Sequence, residues 1–199
     1  ALETAVLLSS PSARRKAPAQ TPGIALVGVS GGGLAHASDV ASGFGLSLPP
    51  LGAETVAALR GLLPGFATPQ NPLDLTGLPF ADPAVYRAAL DALAADQGIA
   101  AIVAVQDVPA GLDPDGAGEY AGIAAALGGF ARSAEIPVAA VCHVPEQHQG
   151  FAEGAGEDLP ILRGMRAGLA ALASLVVPVV PVPVVPALPL AAETAWLER

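Results

Sequence analysis

The chain has 199 residues, 52% of them hydrophobic, and a formal net charge of -9 at pH 7. That length and apolar content predict one sizeable core and exclude a wholly disordered chain. The acidity excludes nucleic acid as a natural partner, since phosphate backbones are held by clustered Lys and Arg.

Any anionic ligand must therefore be held locally, by backbone dipoles and a few arginines. Aromatic residues are only 4% of the chain, so the core should be built from small and branched aliphatics with helices lying close to a sheet. The single cysteine, Cys142, rules out an internal disulfide and fits a reducing, cytoplasmic setting. It follows an apolar run, which predicts a buried thiol. No Pro-free apolar run reaches the about 18 residues that a membrane-spanning helix needs. The first eight residues lack the basic segment of a signal peptide, and the missing initial Met predicts a fragment or a processed chain.

In chain order, Ala1 to Leu8 reads as a short helix and Ser9 to Pro22 as a linker whose Arg14-Arg15-Lys16 cluster is solvated. Residues 1–22 are thus expected to be an N-terminal stub and linker. Ile24 to Val29 is an apolar run of strand length, consistent with burial on both faces. Ser30-Gly31-Gly32-Gly33 follows as a loop, then a helix from Leu34 to Phe44 ended by Gly45. Leu46 to Leu48 is expected as a second strand, stopped by Pro49-Pro50. A helix over about 53–63 has Val56, Leu59 and Leu63 at helical spacing. Asn71 to Gly77 is a turn leading into a short strand. Asp82-Pro83 opens a helix to about Ala95 with a cap and a first-turn proline.

Ile99 to Val105 is a third buried strand. Asp113-Pro114 opens a helix to about Ser133, expected to be broken or strained at Gly128-Gly129. Ile136 to Val141 is a fourth strand, Leu159 to Leu162 an edge strand, and Arg163 to Leu175 a closing helix. Val176 to Leu190 interleaves Val and Pro and should be extended. The alternation predicts an α/β domain over 23–176, doubly wound, with a mainly parallel sheet and helices on both faces. Residues 177–199 are expected as an extended tail and C-terminal stub.

Ligands of open parallel sheets bind at the carboxyl ends of the strands, which here means loops 30–33, 71–77, 106–113 and 142–153. In the first, glycines followed by a helix can aim unpaired amides and a helix dipole at a phosphate-sized anion; an ordinary tight turn has the same pattern. The loop lacks the Lys-Ser/Thr ending of a nucleoside triphosphatase loop and the dinucleotide fingerprint. Ser30 precedes glycines and does not sit in a nucleophile elbow, so hydrolase chemistry is not expected. His36 is read as packing or solvent-facing. His143, His148, Glu146 and Glu153 have no recognised ligand spacing, so no metal site is predicted. Asp107, Asp113 and Asp115 are read as helix caps.

Gly23-Ile24-Ala25-Leu26-Val27-Gly28-Val29-Ser30-Gly31-Gly32-Gly33 is followed by Asp39, Gly-Leu-Ser-Leu-Pro-Pro-Leu at 45–51 and Glu54-Thr55. Leu59-Arg60-Gly61-Leu62-Leu63-Pro64 and Asn71-Pro72-Leu73-Asp74-Leu75-Thr76-Gly77 come next. In this order they resemble the acyl-CoA synthetases of the nucleoside-diphosphate-forming type, in their second succinyl-CoA-ligase-like, flavodoxin-like domain. The likeness is dense over about 22–80 and looser to about 175, where Leu159-Pro160-Ile161-Leu162-Arg163-Gly164 is similar to the family's closing segment.

The resemblance implies ATP-driven ligation of a carboxylic acid to coenzyme A through an acyl phosphate and a phosphohistidine. It implies that Ser30, Gly31, Gly32 and Gly33 bind the phosphoryl group and that Asn71 and Asp74 support the neighbouring loop. The family's Ser-His-Thr-Gly phosphohistidine motif is absent, so no catalytic residue is expected in this chain. Leu34 stands where relatives often carry another Gly. Coenzyme A, ATP and Mg would be bound by the complete enzyme and none by this chain alone. Its partners would be the coenzyme A-binding and phosphohistidine-bearing domains and an ATP-grasp domain, with a homo-oligomer forming on any apolar face left uncovered. A non-catalytic module for assembly or acyl-CoA sensing is the other reading.

Overall fold

The computed structural model describes residues 1–15, 23–143 and 149–177. In chain order the elements are α1 (Leu2–Ser9), a 3-10 turn (Pro11–Arg14), β1 (Ile24–Gly28), α2 (Gly31–Ser42), α3 (Ala53–Leu62), β2 (Leu73–Asp74), α4 (Leu78–Ala81) and α5 (Pro83–Ala94). There follow β3 (Ala101–Val105), α6 (Pro114–Ser133), β4 (Val138–Cys142), α7 (Gln149–Ala155), β5 (Ile161–Arg163) and α8 (Met165–Val176).

β1, β3 and β4 are buried at every position, which requires a helical layer on each face of the sheet. Side chains alternate accordingly. Ala25, Val27, Ile102, Ala104, Val138 and Ala140 pack with α3, α5 and α6 through Leu59, Leu90, Leu93, Ile123 and Leu127. Ile24, Leu26, Ala101, Val103, Ala139 and Val141 face α1, α2 and α8 through Leu7, Ala37, Ala41, Leu169 and Leu172. The described strands form one parallel sheet in the order β2-β1-β3-β4-β5, so the doubly wound α/β expectation holds.

Several local expectations change. Residues 46–48 make only a single bridge, Gly23 to Ser47, because the prolines at 49 and 50 offer no N–H to extend it. The strand that pairs beside β1 is Leu73–Asp74, inside the Asn-Pro-Leu-Asp motif instead of after it. α6 runs unbroken through Gly128-Gly129. α7 occupies a stretch expected to be loop. Lys16 to Pro22 and the Val/Pro-rich residues from 178 onward lie outside the described residues.

The stub and linker reading also changes over residues 1–15. Leu7 is buried against α8's layer, a contribution of about 2 kcal/mol for one leucine. The Ser12 hydroxyl donates to the Val138 carbonyl (2.8 Å) and accepts the Val138 N–H (2.7 Å), closing the start of β4. Arg15 is not a solvated linker charge. Its guanidinium donates to the carbonyls of Ala131 and Arg132, at the C-terminal end of α6, where a cation is favoured. Glu3 accepts the Arg163 N–H (2.7 Å) and so covers the outer edge of β5.

Tyr86, fully buried on α5, has no hydrogen-bond partner for its hydroxyl among the described residues, and burial pushes its phenol pKa up. An unpaired buried hydroxyl is a net cost, so Tyr86→Phe should stabilise the domain by about 1 kcal/mol and raise the thermal midpoint by roughly 2–4 °C. A lowered midpoint would show that the hydroxyl is paired in solution.

Candidate functional site

In the order β2-β1-β3-β4-β5 the winding reverses between β1 and β3, the place where open parallel sheets bind ligands at the carboxyl ends of their strands. The register sets which residues meet at that edge. Gly28 lies opposite Asp74 on one side and Val105 on the other, and Val105 lies opposite Val141. The segments just beyond these positions carry Ser30 to Gly33, Asp74, Asp107 and His143.

The glycines are not a loop ahead of the helix but its first turn. Ser30 is the N-cap of α2, its hydroxyl accepting the Gly33 N–H (3.3 Å), while its carbonyl accepts the Leu34 N–H (3.0 Å). Gly31 and Gly32 are exposed, and among the described residues no group bonds their N–H donors. A side chain at Gly32 would meet nothing within 4 Å. Two amides without a partner among the described residues and the positive end of a 12-residue helix are therefore exposed at the carboxyl edge of the sheet.

Asp74 sits close by: a Cβ on Gly31 would lie 2.8 Å from its Oδ2, so the carboxylate would have to turn aside for a side chain there. Its other oxygen accepts the Thr76 N–H (2.8 Å), and Thr76 holds a left-handed φ of 53° that a β-branched residue rarely adopts. Asn71 is elsewhere. Its carboxamide accepts the Leu26 N–H (3.1 Å) and donates to the carbonyls of Ile24 (2.8 Å) and Pro49 (3.2 Å). It completes the outer edge of β1 in the first half of the strand, away from the glycines.

The larger surprise is Asp107. Expected to cap the next helix, it instead holds His143: one oxygen accepts the His143 backbone N–H (2.6 Å) and the other lies 2.6 Å from the ring Nδ1. Asp113 does the capping, accepting the Gly116 N–H (2.8 Å). The His143 ring stacks on exposed His36, centroids 5.1 Å apart and planes 27° apart. A Cβ on Gly33 would lie 3.1 Å from the ring's Cε1, so the imidazole leans directly on the first turn of α2. The first turn of α2 thus has the Asp74 carboxylate beside Gly31 and the oriented His143 imidazole beside Gly33.

Cys142 is fully buried, its thiol 3.4 Å from the Leu162 carbonyl oxygen. Glu146 and His148 lie outside the described residues. No group of three metal-ligating side chains occurs among the described residues. A groove of about 870 Å³ runs between α1 and the β5 edge, lined by Glu3, Val6, Leu159 and Ile161. None of the candidate residues borders it.

No family model matches the chain. The fold is shared with PH0766 from Pyrococcus horikoshii OT3, with a TM-score of 0.65 and 23% identity over 88% of this chain and 38% of that one. It is shared also with the dinucleotide-forming acetyl-coenzyme A synthetase 1 of Ca. Korarchaeum cryptofilum in complex with phosphate and ADP. There the TM-score is 0.63 and the identity 19%, over 88% of this chain and 36% of that one. Over 81 residues the chain is 38% identical to a trans-feruloyl-CoA synthase from an unidentified prokaryotic organism.

In sequence the chain is thus similar to part of one acyl-CoA synthase, and in fold to part of an acetyl-coenzyme A synthetase. The matched stretch is 41% of this chain and only 12% of that synthase. The chain thus spans only part of the length of each, 38% and 36% of the two solved chains. No described helix is long and apolar enough to cross a membrane.

Proposed function

We propose that this domain serves an acid–coenzyme A ligase of the nucleoside-diphosphate-forming type. ATP, with Mg, would drive joining of a carboxylic acid to coenzyme A through an acyl phosphate and a phosphohistidine. The role of this domain is to receive the phosphoryl group, carried on a histidine of a companion domain, at the start of α2. The observation that supports this most is the pair of exposed amides at Gly31 and Gly32, unbonded among the described residues, at the carboxyl edge where the strand order reverses.

Each site residue has a physical task in this reading. Ser30 fixes the helix start, and Gly31 and Gly32 donate to the phosphoryl oxygens. Gly33 keeps the first turn free of a side chain. Asp74 holds the adjoining turn through Thr76, and Asn71 holds β1 in place beneath it. Coenzyme A, ATP and Mg would sit on the coenzyme A-binding and ATP-grasp partners, in a cytoplasmic enzyme.

The test is ATP consumption by the complete polypeptide, or by this chain combined with the companion domains. Turnover should require both a carboxylic acid and coenzyme A. Coenzyme A-independent behaviour across a panel of acids would instead favour an assembly or sensing module.

A further inference from the structure

The imidazole–carboxylate pair was left without a task by the reading above, which places the reacting histidine in another domain. We propose that His143 is itself a phosphoryl acceptor, through Nε2. The inference rests on the acyl-phosphate chemistry proposed above and adds a residue of this chain to it.

The geometry of the pair carries the argument. A carboxylate has only acceptor sites, so the 2.6 Å contact to Asp107 places the ring proton on Nδ1. In the neutral ring the lone pair then belongs to Nε2. Among the described residues no group bonds Nε2, while the backbone N–H of His143 is held by the same carboxylate. The ring is fixed from three sides: Asp107 at Nδ1, the His36 ring against one face, and the Gly33 backbone beside Cε1. A nucleophile oriented by a third group in this way is the arrangement that covalent catalysis uses.

The site also suits the product. Cε1 is bonded to Nε2, so a phosphoryl group on Nε2 would stand beside the first turn of α2, with the Gly31 and Gly32 donors near its oxygens. In the step itself, the Nε2 lone pair attacks the phosphorus of an acyl phosphate and forms the N–P bond. The P–O bond to the acyl group breaks, and its electron pair leaves on the carboxylate. The proton stays on Nδ1, where Asp107 offsets the positive charge of the ring.

The experiment uses the 199-residue chain with phosphoramidate as a small phosphoryl donor. Labelling is followed by ³¹P NMR and assigned by peptide mass spectrometry. Phosphate should appear on Nε2 of His143 ahead of His36 and His148, vanish in His143→Gln, and form about tenfold more slowly or worse in Asp107→Asn. Circular dichroism and the thermal midpoint of each variant separate lost reactivity from lost folding. Equal labelling of the three histidines, labelling at Nδ1, no labelling at His143, or an Asp107→Asn rate equal to wild type overturns the proposal. These outcomes are independent of whether the complete enzyme proves to be a ligase, which the coenzyme A requirement decides separately.

Discussion

Gly32→Asp should abolish ligase turnover while leaving the domain folded. The position is exposed, lies in the first turn of α2, and has open space where a side chain would go. A carboxylate there suits the helix dipole, which favours negative charge at this end by about 0.3–1 kcal/mol. The thermal midpoint should therefore hold or rise slightly. The same charge stands where the phosphoryl group is to be received. At about 4 Å two like charges near a protein surface repel by about 4 kcal/mol, enough for a loss of roughly 100-fold to 1,000-fold in kcat. Gly32→Ala, which adds no charge, should retain most activity. Turnover of Gly32→Asp within about threefold of wild type would remove the α2 terminus from the reaction.

The largest stability effect is expected at Gly128. A Cβ there would lie 1.9 Å from the Ala155 carbonyl oxygen, and that obstacle is backbone at the end of α7, so no rotamer relieves it. Gly128→Val should force α7 off α6 and cost about 3 kcal/mol or more, a fall of roughly 6–12 °C in the thermal midpoint. The adjacent glycine behaves oppositely. Nothing lies within 4 Å of a Cβ at Gly129, so Gly129→Ala should be neutral or stabilise the helix by up to about 1 kcal/mol. Equal effects at the two positions, read by thermal unfolding, would contradict the packing described here.

That pair also shows where the sequence was legible and where it was not. Two adjacent glycines in a long helical stretch look alike as letters, and local propensity predicts a break. The tertiary contact, Gly128 under the Ala155 carbonyl, lies with a helix the sequence concealed in a presumed loop. The strands were clearer, because Ile24–Gly28, Ala101–Val105 and Val138–Cys142 are apolar on both faces and bounded by turns. β2 was hidden by its length of two residues and by the motif around it.

The site was half legible. Ser30 before three glycines marks a helix start, though the helix begins within the glycines. Asn71 and Asp74 share a motif yet act at different places, since one faces β1 along its length and the other faces its end. The Asp107–His143 pair was missed because its members are 36 residues apart. A signal existed: with Val105 opposite Val141, counting two residues beyond each in a parallel pair sets Asp107 against His143. Laying one strand beside the next finds such pairs; scanning for ligand spacings along the chain does not.

The central claim, that amides at the start of α2 take a phosphate-like anion, is tested most directly by following backbone amide resonances during titration with inorganic phosphate at constant ionic strength. Saturable shifts should concentrate at Gly31 and Gly32 and be absent in Gly32→Asp. Small shifts spread evenly over the chain, matched by chloride, would contradict the account.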